Sequence, residues 1–87
     1  MQVDGTEALG LVAGFIGAFA FAPQAFKILR SRDAADVSAL TYAMVLSGAL
    51  LWAGYGVLRE APSIILWNVV AAGLAALVLI LKLRRAA

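Results

Sequence analysis

Residues 8–26 read ALGLVAGFIGAFAFAPQAF, an uncharged apolar run that meets a proline and a glutamine just before its end. A helix needs about 20 such residues to cross a bilayer, so this run predicts a membrane span. A proline inside a helix deletes one backbone hydrogen bond and pushes its ring toward the carbonyl four residues earlier, here Phe19, at about 3 kcal/mol in water. In lipid the freed carbonyl needs a partner from a neighbouring helix, a side chain or a water-lined cavity. Gln24 adds an uncharged amide at the same depth. Pro23-Gln24 therefore marks a point where the protein bends or is wet. The plainer alternative is a tolerated kink, since Gly and Pro are commoner in membrane helices than in soluble ones.

Two further runs follow, Leu40–Leu58 and Ser63–Leu81, and neither contains Asp, Glu, Lys or Arg. The chain has 87 residues, 64% hydrophobic and 14% charged, against about a quarter charged in soluble domains. The expectation is an all-α membrane protein, one domain over residues 1–87, with helices at about 8–29, 39–58 and 63–83. Asp36 or Ser38 can cap the second helix, and Pro62 suits the first turn of the third, where a missing N–H costs nothing. Gly54 and Gly56 weaken the end of the second helix or let it pack closely. Gly10, Gly14, Ala18 and Ala22 recur every fourth position, with Gly17 beside them, and Ala72 and Ala76 do likewise. Small-residue stripes let helices approach closely in lipid.

The start carries Asp4 and Glu7 and no Lys or Arg, unlike the positive n-region of a cleavable signal peptide, so the first run reads as part of the mature protein. Lys27, Arg30 and Arg32 flank the first loop, Lys82, Arg84 and Arg85 close the chain, and only Arg59 lies on the other side. The excess of Lys and Arg on one side predicts an outer N-terminus and a cytoplasmic C-terminus. The basic tail reads as a topology anchor rather than a nucleic-acid site.

No cysteine and no histidine occur, which removes thiol chemistry, the usual proton shuttle and the commonest metal ligand. The spans hold no carboxylate, acid–base pair or nucleophile cluster. An enzyme is not expected, nor a metal or cofactor. Proton coupling normally uses an intramembrane acid or histidine, so the sequence favours facilitated diffusion.

Asn68 is the sharpest polar feature of the spans. An amide left unpaired in hydrocarbon costs several kcal/mol, so it faces water or a partner helix, where it serves as glue. Trp52, Tyr55 and Arg59, at i, i+3 and i+7, share one helix face with Gly48. Tyr55 alone reads as an interfacial aromatic, and Trp67 as an anchor on the lipid side. Trp52 sits deeper than such anchors do. Indole faces suit the C–H surfaces of sugar rings and amides suit hydroxyls, so Trp52 with Asn68 suggests a site for a neutral polyhydroxylated ligand. Three helices cannot enclose a watery path alone. A parallel homodimer with its two-fold axis along the membrane normal would line one cavity twice with these residues, and two-fold dimers are the commonest assembly.

Pro23-Gln24, Ser38, Trp52-x-x-Tyr55-Gly56 and Asn68, in this order in so short a three-helix chain, resemble the bacterial SemiSWEET sugar transporters of the PQ-loop superfamily. The resemblance covers about residues 8 to 83. It implies a 3+3-helix homodimer in the bacterial inner membrane, one central sugar site and alternating access, consistent with the parallel repeats of the larger relatives. The substrate would be a mono- or disaccharide of the glucose or sucrose type. By position it implies that Trp52 and Asn68 bind substrate, that Tyr55 and Arg59 form an outer gate, and that Pro23 with Gln24 forms the hinge of the first helix. Such proteins commonly carry an Asp two residues after the gate arginine. Here that position is Ala61, and Glu60 is the available substitute. Phe19 and Tyr42 are candidates for the inner gate. The alternatives are a PQ-loop transporter of another small solute, such as an amino acid, and a non-transporting membrane subunit in which Asn68 and Gln24 are helix glue.

Overall fold

The computed structural model describes residues 2–35 and 37–86. Within them the chain forms three helices: α1, Gly5–Ser31; α2, Ala39–Leu58; and α3, Pro62–Ala86. Each is long and apolar enough to cross a membrane, and no strand occurs among the described residues. α1 begins ahead of Ala8 because the Asp4 carboxylate accepts the Glu7 N–H at 2.8 Å, which satisfies one of the free first-turn amides. Ser38 caps α2 by accepting the Thr41 N–H at 3.1 Å. Asp36, the alternative cap, lies outside the described residues. α3 starts at Pro62 itself.

α1 runs unbroken through Pro23 and stops at Ser31, where Arg32 turns left-handed at φ 56°. The loop is locally bonded: the Asp33 carboxylate accepts the Ala35 N–H at 3.1 Å, and Lys82 Nζ donates to the Ala35 carbonyl at 3.2 Å. At the other end, α2 closes with the paired bonds of a Schellman motif. The Glu60 N–H donates to the Val57 carbonyl at 3.1 Å and the Ala61 N–H to the Gly56 carbonyl at 2.9 Å. The left-handed position of that motif favours glycine. Here Glu60 holds it, at φ 52°.

α3 packs against both α1 and α2, which do not pack against each other among the described residues. The order in space is therefore α1–α3–α2. The Cα extents of 45 × 22 × 14 Å describe a flat row rather than a closed bundle. Its interior is built of small side chains: Ala25, Ala49, Ala72 and Ala75 are buried, and Val78 is the largest side chain wholly enclosed. Gly10, Gly14, Ala18 and Ala22 form the α3-facing side of α1. A Cβ on Gly56 would stand 2.9 Å from Ile64 Cγ2, so this glycine sets the close approach of α2 to α3. Gly17 and Gly54 face open space.

Candidate functional site

A flat row has two broad faces, and the helix period of about 3.6 residues assigns residues to each. In α1, Gly17, Gln24 and Ser31 lie about a quarter-turn to one side of the α3-facing stripe. In α3, Asn68 and Ala71 lie between the Trp67 side, which meets α1, and the Ala72 side, which meets α2. In α2, the stripe Leu46, Ala49, Ala53 and Gly56 faces α3, and Thr41, Gly48, Trp52, Tyr55 and Arg59 lie to one side of it. α1 and α3 run the same way and α2 the opposite way, so all three sets fall on one broad face. A cleft of about 190 Å³ lies along the α1–α3 seam, with Gly14, Gly17, Ala18, Trp67, Val70 and Ala71 among its lining.

On this face the Trp52 and Tyr55 rings meet edge-on, with centroids 5.4 Å apart and planes at 81°. Both stay open, 57% and 47% exposed. The Tyr55 ring covers one edge of the indole, and the rest of the indole is open. Asn68 Nδ2 donates to the Ile64 carbonyl of its own helix at 2.8 Å. That bond uses one of the amide's two protons and leaves the other proton and the oxygen for a further partner. The face therefore offers an aromatic surface and a neutral donor–acceptor pair, a chemistry suited to hydroxyl-rich, uncharged molecules.

Arg59 stands at the end of the same face. It lines a polar depression with Gln2, Asp4, Thr6, Glu7 and Glu60. Ala61 is buried, so the side chain two positions after Arg59 points into the protein. Pro23 and Gln24 are exposed on α1, with Gln24 turned to the Trp52 face. The structure does not bring the inner-gate candidates there. Phe19 is exposed beside Phe15, with ring centroids 5.9 Å apart, on the side of α1 away from Gly17. Tyr42 is half-buried on the stripe of α2 that faces α3.

Trp67 corrects a second expectation. It is not a lipid-side anchor. Its ring lies across Gly14, and its Nε1 donates to the Leu11 carbonyl of α1 at 3.1 Å. Glu7 is a residue that pattern reading passed over: its Oε2 accepts the Ser63 N–H at 2.7 Å. The available signal was its spacing, because Glu7, Gly10 and Gly14 share one helix face.

A family described as PQ loop repeat matches residues 6–65. Similar proteins include one named sugar transporter SemiSWEET from Escherichia coli (strain UMEA 3162-1), 40% identical over 85% of this chain and 83% of that protein. Another of the same name, from Leptospira biflexa serovar Patoc (strain Patoc 1), is 36% identical over 86% of this chain and 88% of its own length. A crystal structure of SemiSWEET in the inward-open conformation matches with a TM-score of 0.88 and 38% identity, over 92% of this chain and 86% of that one. A crystal structure of a bacterial homologue of SWEET transporters gives 0.81 and 36%, over 93% and 98%.

Proposed function

The chain belongs to the PQ-loop family, among the SemiSWEET transporters, and from that premise we propose that it carries sugars passively across the bacterial inner membrane by alternating access. The observation that carries the reading is the open face on which Trp52 and Asn68 stand together. The indole stacks on the C–H surface of a sugar ring, and the Asn68 amide exchanges hydrogen bonds with its hydroxyls. The uncharged runs 8–26, 40–58 and 63–81 contain no carboxylate or histidine, and Glu7 at the end of α1 is engaged by the Ser63 N–H, so a charged co-substrate has no counter-charge along the path, and the sugar's own gradient drives transport. Relatives named as sugar transporters support the substrate class, and the fit to glucose- or sucrose-type molecules follows from the neutral chemistry of the face.

One protomer offers half a site. A parallel homodimer, two such faces opposed about an axis along the membrane normal, encloses a cavity lined twice by Trp52 and Asn68. Its lipid-facing surface is the rest of the row. The N-terminus lies outside and the C-terminus in the cytoplasm, which sets Tyr55 and Arg59 at the outer mouth, with Glu60 as the counter-charge available there. Pro23, beside Gln24, is the hinge through which the inner half of α1 swings. The helix-glue reading of Asn68 loses ground, because its hydrogen bond goes to its own helix and not to α1 or α2.

The test is counterflow of radiolabelled glucose and sucrose in proteoliposomes, wild type beside Asn68→Ala. Uptake by the wild type and not by an equally dimeric mutant is expected. A well-folded wild-type dimer that moves neither sugar removes this reading, and a wider panel of neutral and amino-acid solutes then decides between another cargo and a structural subunit.

A further inference from the structure

α1 and α3 are joined near one end by a contact that repeats. Glu7 Oε2 accepts the Ser63 N–H at 2.7 Å. One turn deeper, Trp67 Nε1 donates to the Leu11 carbonyl at 3.1 Å. Each pair is 56 residues apart in sequence, so both rungs keep one register. The glycines keep it too: a Cβ on Gly10 would meet Ser63, and one on Gly14 would meet Trp67. The segment from Glu7 to Gly14 is thus fixed against the first turns of α3.

The local chemistry gives Glu7 its role. Pro62 has no N–H, and Ala61 before it offers no side-chain acceptor. Ser63 therefore carries the first amide of α3 that needs a partner. Ser63 is buried, and in a bilayer an unpaired amide is expensive. The missing cap comes from another helix, as a carboxylate at the helix end where the dipole favours negative charge. Among the described residues, both hydrogen bonds that join α1 to another helix lie ahead of Pro23. Beyond it Ala25 is buried and Ile28 and Leu29 are half-buried, so that part of α1 is held by apolar contact alone, and the proline has already removed one bond from the helix's own ladder.

We propose that Glu7 is a positioning residue. Together with Trp67 it staples the first half of α1 to α3 as one body throughout the transport cycle, and so confines relative motion of the two helices to the part of α1 after Pro23. The persistence of the staple through a transport cycle rests on the sugar-transport reading; the staple itself does not.

The chain has no cysteine, so a Gly10→Cys/Ser63→Cys pair can be introduced on a clean background. A Cβ at Gly10 would lie 3.0 Å from Ser63 Cβ, a few tenths of an ångström inside the usual disulfide separation of about 3.5–4.5 Å. Sugar counterflow is compared between oxidised and reduced protein. The cross-linked form should keep at least about half of the reduced rate, because its ends do not part during transport. A roughly tenfold loss on oxidation, reversed by dithiothreitol, overturns the proposal.

A second measurement needs no transport. Spin labels at Leu9 and Leu66 report the stapled end, and labels at Phe26 and Ile80 report the other, in labelled protomers diluted with unlabelled chain. The stapled pair should give one narrow distance, indifferent to sugar. That distance should broaden in Glu7→Ala and narrow again in Glu7→Gln, whose amide oxygen still accepts the Ser63 N–H. A distribution that stays narrow in Glu7→Ala overturns the role of Glu7. A wild type that moves no sugar removes the transport reading, and the labels still decide the staple.

Discussion

Gly14→Ala puts the α1–α3 register to a direct test. A methyl group at Gly14 would fall inside the five-membered ring of Trp67, overlapping Cδ1, Cγ and Nε1. The ring is rigid and is anchored by its hydrogen bond to Leu11, so it cannot slide aside as a flexible chain end can. Either the indole swings out and gives up that bond, or the helices part. Overpacking of this kind costs about 1–3 kcal/mol, and a lost interhelical hydrogen bond in a membrane protein adds roughly 0.6–1.7 kcal/mol. Taking the middle of both ranges, less the roughly 1 kcal/mol that alanine gains over glycine within a helix, leaves about 2 kcal/mol, roughly a 30-fold change in the folded-to-unfolded ratio. Gly17→Ala is the control: nothing lies within 4 Å of its added Cβ, and alanine gains about 1 kcal/mol over glycine in a helix. Unfolding by sodium dodecyl sulfate in mixed micelles, followed by helical circular dichroism and tryptophan emission, compares the two. If Gly14→Ala matches the wild type within about 0.5 kcal/mol, or Gly17→Ala loses as much stability as Gly14→Ala, the register of Trp67 across Gly14 is wrong.

Glu60→Gly should stabilise the protein by about 1 kcal/mol, because glycine adopts the left-handed φ of 52° without the steric cost a side chain meets there; no gain in the same unfolding titration would show that the turn is not strained. Glu60→Gln keeps that strain and removes the charge, so its stability should stay near wild type while outer closure weakens. An impermeant maleimide should then label a cysteine placed at Gly48 faster than in the wild-type background, and an unchanged labelling rate would dismiss Glu60 as the partner of Arg59. Sugar uptake should stop at equal concentrations on the two sides of the membrane and ignore a protonophore. Accumulation that an uncoupler collapses would contradict the uniport mechanism.

Much of the fold was legible because lipid imposes a simple rule. Uncharged runs of the right length had to be helices, and Ser38 and Pro62 marked where two of them begin. The glycine stripe was legible as a packing surface, but its partner was not. Whether α1 meets α2 or α3 depends on which stripes are complementary in shape, and here Ser63 and Trp67 of α3 fill the gaps at Gly10 and Gly14. The same ambiguity misplaced Trp67, since an indole near a helix end suits a membrane interface and a glycine notch equally well. Phe19 was a candidate because Pro23 frees its carbonyl, and Tyr42 because it lies near the start of the second helix, and neither reason says which side of a helix a ring occupies. Trp52, Tyr55 and Arg59 could be placed on one face because their spacing defined it before any partner was known. Asn68 joined that face through the arrangement of the row, which no local pattern encodes.

Under the proposed function, the sides of α1 divide the demands of stability from those of transport. The side toward α3 carries Glu7, Gly10 and Gly14, where close fit leaves no freedom. About a quarter-turn away, Gly17 and Gln24 stand on the open face with Trp52 and Asn68, the face that the proposed function assigns to the cargo. Pro23 lies nine residues after Gly14, which is about half a turn around the helix at 100° per residue, so its ring points away from α3. A proline so placed removes a backbone bond without intruding on the packed stripe, and Ala25, two residues later, is still buried. The helix can therefore bend at this point and keep its outer fit. A proline on the α3-facing side would couple every bend to the glycine contacts and force the staple to break with each swing. Exchanging Pro23 and Ala22 in sequence, which turns the ring about 100° toward that side, should accordingly lower both folding stability and counterflow rate. Pro23→Ala, by contrast, should slow counterflow while leaving the folded protein at least as stable. If the exchanged protein retains wild-type stability, packing and bending are not segregated on this helix in the way its residues indicate.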